Sequence, residues 1–189
     1  MATAVKRPTG RDEVVDAVLD AAELLFAASG PADVSLRAIA READVNYGLV
    51  HRHFGTKDDV FDQLLERYAR RWGAQLEAAP DYPAALDRLF GPGVDTGLYL
   101  RLLAWTLLSD RAKEPAAAPR RHATLDRLLD LEHVPEAGDP TVTTAAALAL
   151  AFGWRFFNPF IRDALHVDDE RSAGFHESVR RRLHDLIDG

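Results

Sequence analysis

Two short amphipathic stretches separated by a tight turn, within LRAIAREADVNYGLVHRHFGTKDDVF from Leu36 to Phe61, constrain the fold of this chain more than any other feature. Ser35 is a plausible N-cap for the first stretch and Asn46 for the second. Apolar residues at helical spacing in each stretch predict two short helices. Two helices joined by about three residues form a helix-turn-helix, in which the second helix faces outward.

Helical periodicity continues on both sides of this stretch. A first amphipathic helix is expected to stop at Gly30-Pro31, because glycine accepts a left-handed cap and proline cannot continue a helix. Thr56 and Asp59 form a capping-box pattern that opens a long fourth helix at Lys57. The apolar stripe of that helix consists of Phe61, Leu65, Tyr68, Trp72 and Leu76.

The second half of the chain also has a helical pattern, with predicted breaks at residues 91–93, 115–119, 138–140 and 166–168. Asp139 and Pro140 predict the start of a long helix, and Pro159 is expected to kink or end it. No segment is typical of a strand. The sequence therefore predicts an all-α protein, with an N-terminal three-helix helix-turn-helix domain over residues 8–70 and a C-terminal helical domain over residues 71–189.

The second helix of the helix-turn-helix carries side chains suited to DNA. With Val50 and Phe54 facing inward, the residues left on or beside its exposed face are Asn46, Tyr47, Gly48, Leu49, His51, Arg52 and His53. Polar groups among them can bind base edges or phosphates, and apolar groups can contact a thymine methyl. Lys57, at the start of the fourth helix, is expected to clamp a phosphate, and Arg37 to bind the same backbone from another side.

The first 65 residues or so resemble the tetracycline-repressor (TetR) family of bacterial transcriptional regulators, through VSLRAIAREADVNYGLVHRHFGTKDDVF and the spacing of Ala40, Val45, Gly48, Phe54 and Lys57. The resemblance implies DNA contact by Arg37, Tyr47, Gly48, Leu49, His51, Arg52, His53 and Lys57. It also implies a C-terminal domain that binds a ligand and dimerises, with the last two long helices forming the interface.

One position departs from the family pattern. The family usually has tyrosine where this chain has His51, so that a phenol contact to phosphate becomes an imidazole contact. An imidazole binds phosphate more weakly when it is neutral, and its usual pKa of about 6.5 makes its charge sensitive to pH. This departure raises the hypothesis that DNA binding depends on pH.

Composition limits the other classes of function. The formal charge is -7, which argues against a protein coated with positive charge, although residues 36–57 carry four basic and two acidic side chains. There are no cysteines and no apolar signal or membrane-spanning segment, which favours a cytoplasmic protein without disulfides. His51 and His53 lie two residues apart on a helix and face different ways, so no metal site and no cofactor is predicted.

An apolar pocket is expected in the C-terminal domain. Aromatic side chains could form its wall, although core packing explains most of them equally well. They are Trp105, Phe152, Trp154, Phe156, Phe157 and Phe160. Arg155 or Tyr99 is expected to orient the polar end of a ligand. The predicted ligand contacts are Tyr99, Leu102, Trp105, Phe152, Arg155 and Phe156.

These observations favour a sequence-specific DNA-binding regulator. The expected form is a ligand-responsive repressor that binds a near-palindromic operator as a homodimer and is released by a small, largely apolar effector. Two alternatives remain open: a helix-turn-helix protein that serves as a protein-interaction adaptor, and a small helical enzyme that acts in the C-terminal pocket. No catalytic residue is predicted, because no cysteine, metal-ligand spacing or phosphate-binding glycine loop supports an enzyme.

Overall fold

The structure is a computed structural model that describes residues 10–82, 84–85, 88, 96–108, 126, 130 and 139–188. The regular structure of these residues is helical throughout, which confirms the predicted all-α class. The helices are α1 (Arg11–Asp33), α2 (Leu36–Glu42), α3 (Tyr47–Phe54), α4 (Lys57–Glu77), α5 (Thr96–Leu108), α6 (Pro140–Ala164) and α7 (Asp169–Asp188). The breaks predicted at residues 91–93 and 115–119 lie outside the described residues.

The chain divides into two compact units within α4. The first unit contains the described residues up to Tyr68, and the second begins at Ala69. Helices α1, α2, α3 and the first part of α4 therefore belong to the first unit. The end of α4, together with α5, α6 and α7, belongs to the second.

The core of the first unit forms where α1, α2 and α3 pack together and the apolar stripe of α4 joins them. Val18 of α1, Ile39 of α2 and Val50 of α3 are fully buried. The rings of Phe26 and Phe61 pack with their centroids 5.8 Å apart, which adds a contact between α1 and α4. Burial of one apolar face from each helix holds this small bundle together.

Local capping begins α2 and α4 where the sequence predicts. Ser35 Oγ accepts a hydrogen bond from Ala38 N at 3.1 Å and begins α2. At the start of α4, Asp59 Oδ2 accepts from Thr56 N at 2.8 Å, and Thr56 Oγ1 accepts from Asp59 N at 3.2 Å. This reciprocal pair is the predicted capping box, and it satisfies amide groups that have no partner within the helix.

The first helix breaks at Gly30, as predicted. Gly30 has φ +76° and ψ 158°, outside the helical region, and the chain resumes helical conformation only to Asp33. Glycine adopts a positive φ without the steric penalty that a Cβ would bring. The break turns the last residues of α1 away from the axis of the main helix and leaves their carbonyl groups without the usual partners.

An ion-pair network joins α1 to the last turn of α4 in the first unit. Arg67 Nη1 donates to Asp20 Oδ1 at 2.6 Å, and Arg67 Nη2 donates to Glu23 Oε2 at 2.5 Å. The hydroxyl of Tyr68 donates to the other oxygen of Glu23 at 2.8 Å. Arg67 is almost completely buried, and these two carboxylates compensate its positive charge.

The second unit has its own core, built from α4, α6 and the residues Ala79, Tyr82 and Ala85. The ring of Trp72 lies 5.9 Å from the ring of Tyr99 and 5.9 Å from that of Phe152. Helix α7 packs on α6, where Trp154 Nε1 donates to His176 Nδ1 at 3.1 Å. Asp139 Oδ1 accepts from Thr141 N at 2.9 Å, which confirms the predicted start of α6 at Pro140.

Pro159 does not end α6, which continues to Ala164. Proline removes one hydrogen bond from a helix, but Pro159 lies on the exposed side, where water can bind the carbonyl group left without its donor. The helix ends instead at Ala164, with Leu165 as its C-cap, and His166 with φ +53° begins the predicted break before α7.

Candidate nucleic-acid interface

Helix α3 has one buried face and one exposed face, as the sequence predicts. Val50 is 0% exposed and Phe54 is 5% exposed, so these two side chains fix α3 against the bundle. On the opposite face Tyr47 is 42% and Leu49 40% exposed. His51, Arg52, Asn46 and Gly48 are also exposed, and His53 is half-buried.

The N-terminus of α3 is set by Asn46. Its Oδ1 accepts a hydrogen bond from Gly48 N at 2.8 Å, so this oxygen caps the helix. The side-chain NH2 group of Asn46 is then the part that remains for a DNA contact. A Cβ at Gly48 would lie 3.1 Å from the same oxygen. Glycine at position 48 therefore preserves the cap and leaves the backbone open to close approach.

Three exposed side chains of α2 and α3 contact one another. The guanidinium carbon of Arg37 lies 5.4 Å from the centroid of the Tyr47 ring, within the range of a cation–π interaction. The rings of Tyr47 and His51 have their centroids 6.2 Å apart at an interplanar angle of 45°. Arg37, predicted from the sequence to bind DNA backbone, is therefore also a neighbour of the recognition helix.

Lys57 makes contacts that the sequence analysis missed. Its Nζ donates to the carbonyl oxygen of Pro31 at 2.7 Å and to that of Ala32 at 3.3 Å. An ammonium group has three donors, so at most one is left for the predicted phosphate contact. Lys57 thus binds the terminal carbonyls of α1, where a cation is favoured by the helix dipole. The break at Gly30-Pro31 was the sequence signal that free carbonyls would lie there.

Gly55 is required by the turn between α3 and α4, and we expect Gly55→Ala to lower the free energy of unfolding by about 2 kcal/mol. Its φ of +84° disfavours any side chain, and a Cβ would lie 3.1 Å from Asp59 Oδ2, the acceptor in the α4 cap. Urea denaturation followed by circular dichroism measures the change. Gly174→Ala, where a Cβ meets nothing within 4 Å, is the matched control and should cause no loss. Equal stability of the two variants would contradict this account of Gly55.

The second unit contains an apolar cavity between α5 and α6, which has a volume of about 310 Å³ and is open to solvent on one side, where Leu107 and Leu108 are 61% and 87% exposed. All the described residues that line it are apolar side chains or glycine: Leu100, Leu103, Ala104, Leu107, Leu108, Phe152, Gly153, Phe156 and Phe157. Phe156 and Phe157 pack edge to face with their centroids 5.1 Å apart. Such a cavity suits an uncharged hydrophobic molecule.

The cavity includes some of the predicted ligand contacts and not others. Phe152 and Phe156 line it, whereas Tyr99, Leu102, Trp105 and Arg155 are not among the described lining residues. Tyr99 and Leu102 are buried, and Tyr99 lies against Trp72. Arg155 is half-buried, and burial lowers the pKa of its guanidinium. The four leucines of α5 that line the cavity, Leu100, Leu103, Leu107 and Leu108, were missed, although a helix that is apolar all round indicates burial on more than one side.

Comparison with known proteins identifies the family. The sequence profile described as "Bacterial regulatory proteins, tetR family" matches residues 18–64. The HTH-type transcriptional repressor Rv3405c of Mycobacterium tuberculosis is 38% identical over 187 residues, covering 94% of this chain and 93% of the relative. The chain belongs to the TetR family. It is therefore a DNA-binding transcriptional regulator, and the helix-turn-helix of α2 and α3 corresponds to the HTH in the name of this relative.

Solved structures of TetR-family proteins share the fold. A putative TetR-family regulator from Rhodococcus sp. has a TM-score of 0.68 at 21% identity, covering 93% of this chain and 97% of its own. The putative transcriptional regulator SCO4942 from Streptomyces coelicolor has a TM-score of 0.68 at 23% identity, covering 90% of this chain and 96% of its own. Among the described residues of the TetR-family chain, no helix is both long enough and apolar enough to cross a membrane.

Proposed function

We propose that this TetR-family protein is a ligand-responsive repressor, located in the cytoplasm, that binds a near-palindromic operator as a homodimer. A small, largely apolar effector releases it. The observation that carries the proposal is the division of α3 into a buried anchor, Val50 and Phe54, and an exposed face that begins with Tyr47. The name of the 38% identical relative, a transcriptional repressor, supports repression.

The residues proposed to contact DNA share one region of the first unit. They are Arg37, Asn46, Tyr47, Gly48, Leu49, His51, Arg52, His53 and Lys57, and the domain that contains them is proposed to extend over residues 8–70. In a helix-turn-helix, the N-terminal residues of the second helix contact base edges while the first helix crosses the backbone. We assign Tyr47 and Leu49 to bases, and Arg37, His51 and Arg52 to phosphates or sugars.

Dimerisation is proposed because a single helix contacts only a short stretch of DNA sequence. One recognition helix covers too few base pairs for selectivity, whereas a two-fold dimer places two of them in successive major grooves. A second copy of the chain also provides a partner for the exposed apolar side chains of α6, which include Val142 at 65% and Phe160 at 71% exposure. Large exposed apolar patches mark interaction surfaces. We therefore assign residues 71–189 to ligand binding and dimerisation, with α6 and α7 at the interface.

The apolar cavity between α5 and α6 is the proposed effector site. A ligand can weaken operator binding only if it binds the DNA-free conformation better, and operator must then weaken ligand binding by the same factor. We propose binding without chemical turnover, since all the described lining residues are apolar or glycine. Recovery of unchanged ligand after long incubation supports this assignment, and conversion of the ligand would support the enzyme alternative.

The experiment that tests the proposed function is selection from random-sequence duplexes by the purified protein at near-physiological salt. Enrichment of a spaced, near-palindromic sequence is the expected result. Weak, salt-sensitive binding to all duplexes, with no enrichment, would instead support the adaptor alternative. The selection is repeated after unfolding and refolding the protein, so that a bound effector cannot produce the negative result.

Filling the cavity should abolish the effector response without affecting DNA binding. Gly153 lines the cavity, and a Cβ there meets nothing within 4 Å, so Gly153→Leu adds volume to the proposed site. We expect at least a tenfold loss in affinity for a fluorescent hydrophobic dye and for apolar molecules that displace it. Operator affinity should change less than twofold. Ala74→Leu, on the exposed side of α4, is the control. Unchanged dye binding in Gly153→Leu would place the effector elsewhere.

A further inference from the structure

Tyr47 is exposed, yet its ring is restrained from two helices. The guanidinium carbon of Arg37 in α2 lies 5.4 Å from the centroid of the ring. The imidazole centroid of His51, one turn further along α3, lies 6.2 Å from it. A tyrosine side chain has only two rotatable bonds, so two neighbours suffice to limit its orientation. The Tyr47 ring is therefore biased toward this orientation before DNA is bound, and its ordering costs less on binding.

The position of Tyr47 suits base readout. It is the first residue of α3, and the N-terminal residues of a recognition helix are those that reach base edges. Its hydroxyl group can donate or accept a hydrogen bond, so the side chain distinguishes base pairs only when its orientation is fixed. Rotation of an unrestrained ring would let it contact several base pairs with similar energy.

Arg37 has the chemistry to hold the ring and bind DNA at the same time. A guanidinium group is planar, stacks on aromatic rings through its face and donates hydrogen bonds in its plane. The face of Arg37 can therefore stay on Tyr47 while its edge binds a phosphate. A lysine ammonium keeps the charge but offers no planar face.

We propose that Tyr47 determines which base pair is accepted at one position of each half-site, and that Arg37 is a positioning residue that holds the Tyr47 ring for this readout. The edge of Arg37 binds the neighbouring phosphate, which links base readout to the register of the protein on the DNA backbone. This inference rests on the proposed function, because it requires a sequence-specific operator.

The test measures binding of the full-length protein to the duplex recovered by selection and to all its single-base-pair variants, at several salt concentrations. Arg37→Lys should reduce discrimination at one position of each half-site by about three- to tenfold. It should leave the salt dependence unchanged, because the number of phosphate charges neutralised is the same. In a Tyr47→Ala background the same exchange should have no further effect on discrimination. Arg41→Lys, an exposed arginine of the same helix, is the matched control and should leave base preference unchanged.

Three results would overturn the inference and leave the proposed function intact. Uniform loss of affinity for all duplexes in Tyr47→Ala would mean that Tyr47 binds only the backbone. Loss of discrimination in Arg37→Lys that persists in the Tyr47→Ala background would mean that Arg37 acts independently. A lower thermal midpoint for Arg37→Lys together with uniformly weaker binding would show a merely structural role. Absence of any sequence preference in the unmodified protein would overturn the proposed function itself, and this inference with it.

Discussion

Phe54→Ala is expected to lower the free energy of unfolding of the first unit by about 4 kcal/mol and to abolish selective operator binding. Phe54 is 5% exposed and lies in the last turn of α3, directly before the turn at Gly55. Removing its ring leaves a cavity beneath the helix that carries Tyr47. The loss includes both the transfer free energy of the ring and the cost of the cavity.

The measurement is urea denaturation followed by circular dichroism, together with binding to the selected duplex below the unfolding transition. Leu49→Ala provides the control, because Leu49 lies on the exposed face of the same helix. It should change stability by less than about 0.5 kcal/mol, as expected for an exposed position. It should nevertheless alter base preference. A stable, operator-binding Phe54→Ala variant would show that α3 is anchored elsewhere.

Arg67→Ala is expected to lower the free energy of unfolding of the first unit by about 3 kcal/mol. The substitution removes the guanidinium group that forms ion pairs with the carboxylates of Asp20 and Glu23. Glu23 is partly buried and Asp20 is largely exposed, so Glu23 bears most of the loss. Its remaining described partner is the hydroxyl of Tyr68.

A double-mutant cycle with Glu23→Gln separates this pair from other effects of the substitution. If the contact between Arg67 and Glu23 dominates, the losses in unfolding free energy of the two single variants should add up to more than that of the double variant. The expected difference is about 1 kcal/mol or more. Arg70→Ala, an exposed arginine three residues further along α4, is the matched control and should be nearly neutral. Strict additivity would mean that Arg67 stabilises the unit through its apolar stem or through Asp20, and not through Glu23.

Local features of the fold could be predicted from sequence because their causes lie within a few residues. The caps at Ser35 and Asn46 and the capping box at Thr56 require only a short polar side chain at the right spacing. The burial of Val50 and Phe54 follows from helical periodicity. These features also define the DNA-reading surface proposed on α3, which is why the sequence alone was enough to propose it.

Features that depend on tertiary approach could not be predicted in the same way. The contacts of Lys57 reach carbonyl groups 25 and 26 residues earlier in the chain, so no local pattern encodes them. In α5, apolar residues occupy every side of the helix, and periodicity could not separate the cavity-facing Leu103 from the buried Leu102. The sequence left open whether Pro159 kinks or ends α6, and the second alternative is wrong because Pro159 lies on the exposed side of a helix that continues to Ala164.

The apolar lining of the cavity between α5 and α6 bears on the range of chemicals to which a cell could respond. One methylene group in a hydrophobic pocket changes affinity by only about 10- to 200-fold, whereas an unmatched buried hydrogen-bonding group excludes a molecule far more strongly. The described lining residues offer hydrocarbon surface and no side-chain donor or acceptor. In the proposed effector site, selectivity among signals would therefore be graded by size and shape, and the protein would report exposure to a chemical class rather than to one metabolite.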